Sequence, residues 1–216
     1  MSTLPTPPWP PTSSSWPWAK LLAYTLFVGL FLFELLNYLG VLSFQVEFTW
    51  LGRMISTAGV FFIIVALDAI SRQLIRLPLS HGVLLCGTVL LSIDFWGDIL
   101  SLYQRYPWYD QVAHFLSGPI LVGAFLLLYV PIVRRLHWRV PPAVVAISAL
   151  FTSVFLAVIY ELEEYTEDAL YGTNRLGDGA DTANDLALNL AGGLIMLVGI
   201  ALVRSVQKQQ QRGAAV

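Results

Sequence analysis

YELEEYTEDALYGTNRLGDGADTANDLALNLAGG, residues 160–193, decides the reading of this chain. The run holds eight of the 14 acidic residues, yet both flanks are nearly pure hydrocarbon: PAVVAISALFTSVFLAVIY at 142–160 and LAGGLIMLVGIALV at 190–203. Flanks of this kind belong in lipid, where an ionisable side chain is costly and marks a functional site by default. The remainder of the chain therefore reads as a scaffold that presents this segment.

Composition agrees. Of 216 residues, 56% are hydrophobic and only 12% charged, about half the charged share of a soluble domain. A membrane-crossing helix needs about 20 apolar residues, and six segments qualify: 20–42, 53–71, 81–101, 110–133, 142–168 and 181–203. The expected fold is all-α, a polytopic bundle of six transmembrane helices joined by short connections. Residues 1–18 form an irregular tail rich in Pro, Ser and Trp, 19–204 the transmembrane domain, and 205–216 a polar tail. The start, MSTLPTPPWPPTSSSWPWAK, has no basic n-region and is broken by prolines, so it is not read as a signal peptide. Trp9, Trp16 and Trp18 rest either at lipid headgroups or in water.

Charge fixes an expected orientation. Nine of the 12 basic residues fall on the side of the termini, and three (Arg53, Arg105 and Arg175) fall on the other. Lys and Arg are retained on the cytoplasmic side, which places both termini there. Thirteen of the 14 acids, all but Asp68, then gather at the outer face. A net charge of -2 and the lack of a basic stripe exclude a nucleic-acid partner. Cys86, the single cysteine, excludes an internal disulfide and a thiolate metal site.

Residues three or four apart share a helix face. Asp94 and Asp98 pair in this way, as do Asp110 and His114. Glu161, Glu164 and Asp168 make one stripe, and Asp181, Asp185 and Asn189 another. Carboxylates avoid lipid, so the stripes should converge on the bundle interior or a water-filled cavity. Glu163 and Glu167 fall on another face and are expected to meet water or headgroups.

Carboxylates with one imidazole and no thiol suit a hard divalent ion: Mg²⁺, Mn²⁺ or Ca²⁺, with Zn²⁺ admitted through His114. The candidate metal ligands are His114, Glu161, Glu164, Asp181 and Asp185. Asp110 would orient His114, Asn189 would bond a ligand or substrate, and Glu164 would serve as general base on a water held at the site. Without an ion, the same residues would carry protons. Plainer roles exist for each residue alone. Asp110 and Asp181 suit helix N-caps, Asn189 suits an interhelical bond, and Gly192 and Gly193 suit close helix packing. Tyr103, Trp108 and Tyr109 suit an interfacial aromatic belt.

Three blocks also resemble a known family. YPWYDQVAHFLSG at 106–118, YELEEYTEDALYG at 160–172 and DTANDLALNLAGGLIM at 181–196 resemble the motifs of the YjdF-like proteins of bacterial inner membranes. The resemblance covers about residues 50–203, with Tyr160 standing where Trp is expected. It picks Asp110, His114, Glu161, Glu164, Asp181, Asp185 and Asn189. That family has no established biochemical function. The last helix also resembles that of VanZ-like proteins, which implies a role at the cell envelope. The expected protein lies in the bacterial cytoplasmic membrane among lipid, with its acidic site facing outward and acting on a lipid-linked or envelope substrate. The alternatives are a proton- or cation-coupled transporter and a structural or partner-binding membrane protein.

Overall fold

The computed structural model describes residues 17–46 and 49–213. Among these, seven helices and no strand are present: α1 Pro17–Tyr38, α2 Trp50–Ile75, α3 His81–Ile99, α4 Leu102–Arg105, α5 Tyr109–Arg135, α6 Pro142–Tyr171 and α7 Gly179–Gly213. All but α4 are long and apolar enough to cross a membrane. The six expected spans are therefore present, and α4 is a single turn inside the connection between the third and the fourth. Of the tail expected over residues 1–18, residues 1–16, with Trp9 and Trp16, lie outside the described residues, as does Glu47, while Pro17 and Trp18 already belong to α1.

Capping explains where the expected boundaries moved. The first span ends at Tyr38 rather than 42, because the chain turns at Gly40 with φ 72°. Asn37 closes that turn, its Oδ1 accepting from the Phe44 N–H at 3.0 Å. The second span starts before Arg53 because Thr49 caps it, accepting from the Gly52 N–H at 3.0 Å. Pro142 opens α6, and Gly172 closes it at φ 69°. The polar residues after 204 stay helical through Gly213, because Gln, Lys and Arg are good helix formers.

Two groups of helices share the bundle. Helix α1 packs on α2 and α3, while α5, α6 and α7 pack on one another, and the α3–α5 contact joins the groups. Rings fill the first group: Phe27 stacks on Phe61 at 4.4 Å, and Phe33 meets Phe95 edge-on at 5.2 Å. Aliphatic side chains fill the second, with Val122, Leu126 and Val130 of α5 against Val145, Ala149 and Leu150 of α6. Leu21, Val28, Ile55, Phe62, Phe151 and Ile195 are each more than half exposed. That outer surface suits hydrocarbon, where apolar side chains need no cover.

The α5–α7 seam is the closest of these contacts. A side chain at Gly118 would strike the backbone of Asn189 and Gly193, and one at Gly192 would strike the Phe115 carbonyl and the Pro119 ring. Pro119 has no N–H to give the Phe115 carbonyl, and the bare backbone of Gly192 sits against that carbonyl. This is the small-residue packing by which helices associate in lipid. It draws the first turns of α5 and α7 together, and with them His114 and Asn189.

Chain alternation puts the C-terminal ends of α1, α3 and α6 at the same end as the N-terminal ends of α2, α5 and α7. Twelve of the 14 acids lie at that end, Asp68 lies at the other, and Glu47 is the undescribed fourteenth.

Candidate carboxylate–histidine site

Asp110 in the first turn of α5 and His114 one turn later face Asp185 of α7. The His114 Nε2 lies 3.5 Å from Asp110 Oδ1 and 3.9 Å from Asp185 Oδ2. One donor atom from each residue falls within 4.8 Å of the others. An ion with bonds of about 2.0–2.4 Å can span donors up to about 4.8 Å apart. His114 and Asp185 are buried, while Asp110 is half-buried. Asp110 and Asp181 both sit in the first turn of a helix, where the macrodipole favours negative charge.

Asn189 lies one turn below Asp185. Its Nδ2 donates to the Asp185 carbonyl at 3.2 Å and lies 3.0 Å from His114 Nδ1. Its Oδ1 accepts from the Ser117 hydroxyl at 3.1 Å. The expected interhelical bond is therefore present, and it runs to the triad's own imidazole.

Two buried carboxylates are left with unused capacity. Asp185 Oδ1 has no hydrogen-bond partner, and neither oxygen of Glu161 has one in good geometry, although the Thr182 side chain is close. Glu161 is 5% exposed and lies within electrostatic reach of His114, Asp110 and Asp181. Buried acceptors without donors are costly, and a cation or a proton would satisfy them. Asp181 is exposed and stands at the mouth. It lines a cleft of about 190 Å³ together with Tyr103, Pro107, Asp110, Gln111 and Arg175. A wider depression beside it, about 450 Å³, adds Asp178 and Asn184. The half-exposed rings of Tyr106 and Trp108 flank this mouth in sequence, with centroids 5.5 Å apart and planes tilted by 36°.

Glu164 takes a different position. It accepts from Arg175 Nε at 3.0 Å and belongs to a second cluster, which sequence reading missed. Arg175 also donates to Asp94 at 2.8 Å, to Asp98 at 3.1 Å and to the Tyr160 hydroxyl at 2.8 Å. Arg53 of α2 pairs with the same two aspartates, contacting Asp94 at 3.2 Å and also bonding Asp98. The side chains of Arg53 and Arg175 are each only 4% exposed. Burial opposes the charge on Arg175, but Tyr160, Asp94, Tyr103 and Glu164 outweigh it and hold its pKa well above the usual value.

Asp168 places this arginine. Its carboxylate accepts from the Thr173 hydroxyl at 2.5 Å, the Arg175 N–H at 2.9 Å and the Leu176 N–H at 3.0 Å, which folds the loop after Gly172 back into the bundle. Asp168 thus shapes the loop instead of extending the Glu161–Glu164 stripe. A sequence signal for Arg175 existed: a lone cation among eight acids between lipid spans must find a partner.

Several expectations are corrected by these contacts. Glu167 meets neither water nor headgroups; it is buried and accepts from the Thr49 N–H at 2.8 Å. Glu163 bonds the Ser56 hydroxyl, so both acids tie α6 to the start of α2. Tyr103 is not an interfacial belt residue: its hydroxyl donates to Asp94 at 2.9 Å, and Arg175 lies 4.7 Å over its ring. Burial, and then Asp94, push the Tyr103 pKa well above 10, which keeps it a donor. Tyr109 donates to the Ile93 carbonyl at 2.8 Å. Asp178, not Asp181, caps α7, accepting from Ala180 and Asp181 N–H at 2.8 and 3.0 Å. Asp110 does not cap α5, because it already lies within the first helical turn.

One family model, described as "Predicted membrane protein (DUF2238)", matches residues 22–205. No curated protein and no solved structure matches the chain.

Proposed function

From the chain's membership of the predicted membrane protein family DUF2238, whose description names no chemistry, we propose a function read from the site itself: a divalent-cation centre acting on a lipid-linked or envelope substrate. The observation that carries this reading is the Asp110–His114–Asp185 triad beside buried carboxylate oxygens that lack donors. Asp110, His114 and Asp185 would hold the ion, with Glu161 next to them and Asp181 at the mouth. The donor set of carboxylates and one imidazole suits Mn²⁺ or Zn²⁺ better than a purely oxygen-liganded ion. Such an ion polarises a carbonyl or phosphoryl oxygen. Glu161 is the better proton acceptor in this reading, since Glu164 is held by Arg175.

The cleft between Tyr103, Asp110, Arg175 and Asp181 gives a headgroup access to the triad. The flanking Tyr106 and Trp108 suit the lipid–water boundary. We place this end outside the bacterial cytoplasmic membrane and both termini inside. The support is the basic bias, strengthened because Arg53 and Arg175 are consumed in buried ion pairs. The three motif blocks support kinship with YjdF-like proteins, and the VanZ-like resemblance is confined to α7. The transporter reading needs a polar route to the other end. The acid there, Asp68, is occupied by Arg72 at 2.7 Å and the Leu79 N–H at 2.8 Å.

Calorimetry with Mn²⁺ and Zn²⁺ on detergent-purified protein tests the proposal. One ion per chain is expected. Asp185→Asn should weaken binding about 100-fold, or ~2.7 kcal/mol, while Asp68→Asn should leave it unchanged. Equal affinities in all three proteins, or no binding by the wild type, would remove the cation centre.

A further inference from the structure

We infer that Asn189 decides which nitrogen of His114 carries the proton, and that its carboxamide must turn over before His114 can ligate an ion. The inference rests on the cation reading of the triad and assigns Asn189 a positioning role there.

The Nδ2 of Asn189 faces two atoms, the Asp185 carbonyl at 3.2 Å and His114 Nδ1 at 3.0 Å. Its Oδ1 faces the Ser117 hydroxyl at 3.1 Å. A carboxamide nitrogen donates and cannot accept, so Nδ1 of His114 is the acceptor. The proton of the neutral ring then sits on Nε2, the nitrogen that faces Asp110 at 3.5 Å and Asp185 at 3.9 Å. In this arrangement an N–H points where the ion would lie, and a ligand nitrogen needs its lone pair there.

Inverting the carboxamide reverses the pattern at little cost. Oδ1 would accept from an Nδ1–H, and Nε2 would turn its lone pair on the ion. Nδ2 would donate to Ser117 Oγ, whose own proton keeps the Ala113 and His114 carbonyls at 3.0 and 2.9 Å as acceptors. The Asp185 carbonyl loses the side-chain donor but keeps its helical bond from the Asn189 N–H. The ring gives up its Nε2 proton and takes one at Nδ1 through water, so the net proton count is unchanged. Metal-bound histidines commonly donate their second N–H to a carboxylate or carbonyl, and that partner tunes affinity. Here the partner is a carboxamide that can present either end.

Nitrogen-15 NMR of histidine-labelled protein reads the tautomer directly. The chain has three histidines, and His114→Gln identifies the relevant signal by its loss. Ion-free wild type should carry the proton on Nε2. In Asn189→Asp, which offers only acceptors, the proton should move to Nδ1. With Zn²⁺ as the probe, Asn189→Asp should bind about 10–100-fold more tightly than Asn189→Leu, with the wild type between them. An Nδ1 proton in the ion-free wild type, or equal Zn²⁺ affinities for the Asp and Leu variants, would overturn the inference. Failure of all three proteins to bind Zn²⁺, with the Nε2 proton seen in the wild type, would instead remove the cation reading beneath it and leave Asn189 as the residue that places the proton.

Discussion

Replacing Arg175 by methionine should destabilise the protein by about 3–5 kcal/mol, the usual loss when one partner leaves a buried ion pair. The guanidinium serves Asp94, Asp98 and Glu164 at once, and its side chain is 4% exposed. Methionine keeps much of the length but none of the donors. Arg53 would still pair with Asp94 and Asp98, but Glu164 would lose its ion pair. The effect should reach beyond the loop, because Arg175 links α3 and α6 from a loop that Asp168 folds inward. Unfolding in detergent measures the loss. Adding Glu164→Gln to the methionine variant should recover part of it, since a neutral amide leaves one fewer unpaired charge. A loss below about 1 kcal/mol, the range of an exposed ion pair, would show that water reaches these side chains and that the network does not hold the helices together.

A single methyl group at Gly118 should cost about 3 kcal/mol, the upper part of the range for overpacking. The added carbon would meet Asn189 and Gly193 backbone atoms, which cannot rotate away. Helices α5 and α7 would have to separate, and the 3.0 Å contact between Asn189 and His114 would open with them. Gly118→Ala should therefore lower stability and cation affinity together. Gly123→Ala is the matched control on the same helix, because the nearest atom there is the tip of Met196 at 3.8 Å. Thermal unfolding and Mn²⁺ calorimetry on both variants separate the cases. Equal behaviour would mean that the seam is looser than its glycines indicate.

Much of the site was legible before the fold was known. Asp110 and His114 four residues apart, and Asp185 and Asn189 four apart, had to share helix faces. Lipid flanks gave those faces one direction in which to point. The structure brings Asp110, His114, Asp185, Asn189 and Glu161 together, with Asp181 at the mouth. Glu164 was grouped with them because it shares a stripe with Glu161, but a stripe spans a wide arc of the helix. Arg175 captures the part of that arc nearest α3. The same limit misplaced Glu163 and Glu167, whose face looked free until the start of α2 was found against it.

The sequence by itself determined that this is an all-α membrane chain with six spans and one acid-rich end. Hydrocarbon cannot satisfy backbone groups or charges, so length, hydropathy and charge placement suffice for that. Only the tertiary structure decided how the acids divide into two clusters, one locked by Arg53 and Arg175 and one left with open carboxylate oxygens around His114. Helical periodicity states which residues share a face, but the partner of a face depends on how neighbouring helices rotate and approach. That rotation was set by contacts distant in sequence: Gly118 against Asn189, Thr49 beneath Glu167, and a loop folded inward by Asp168.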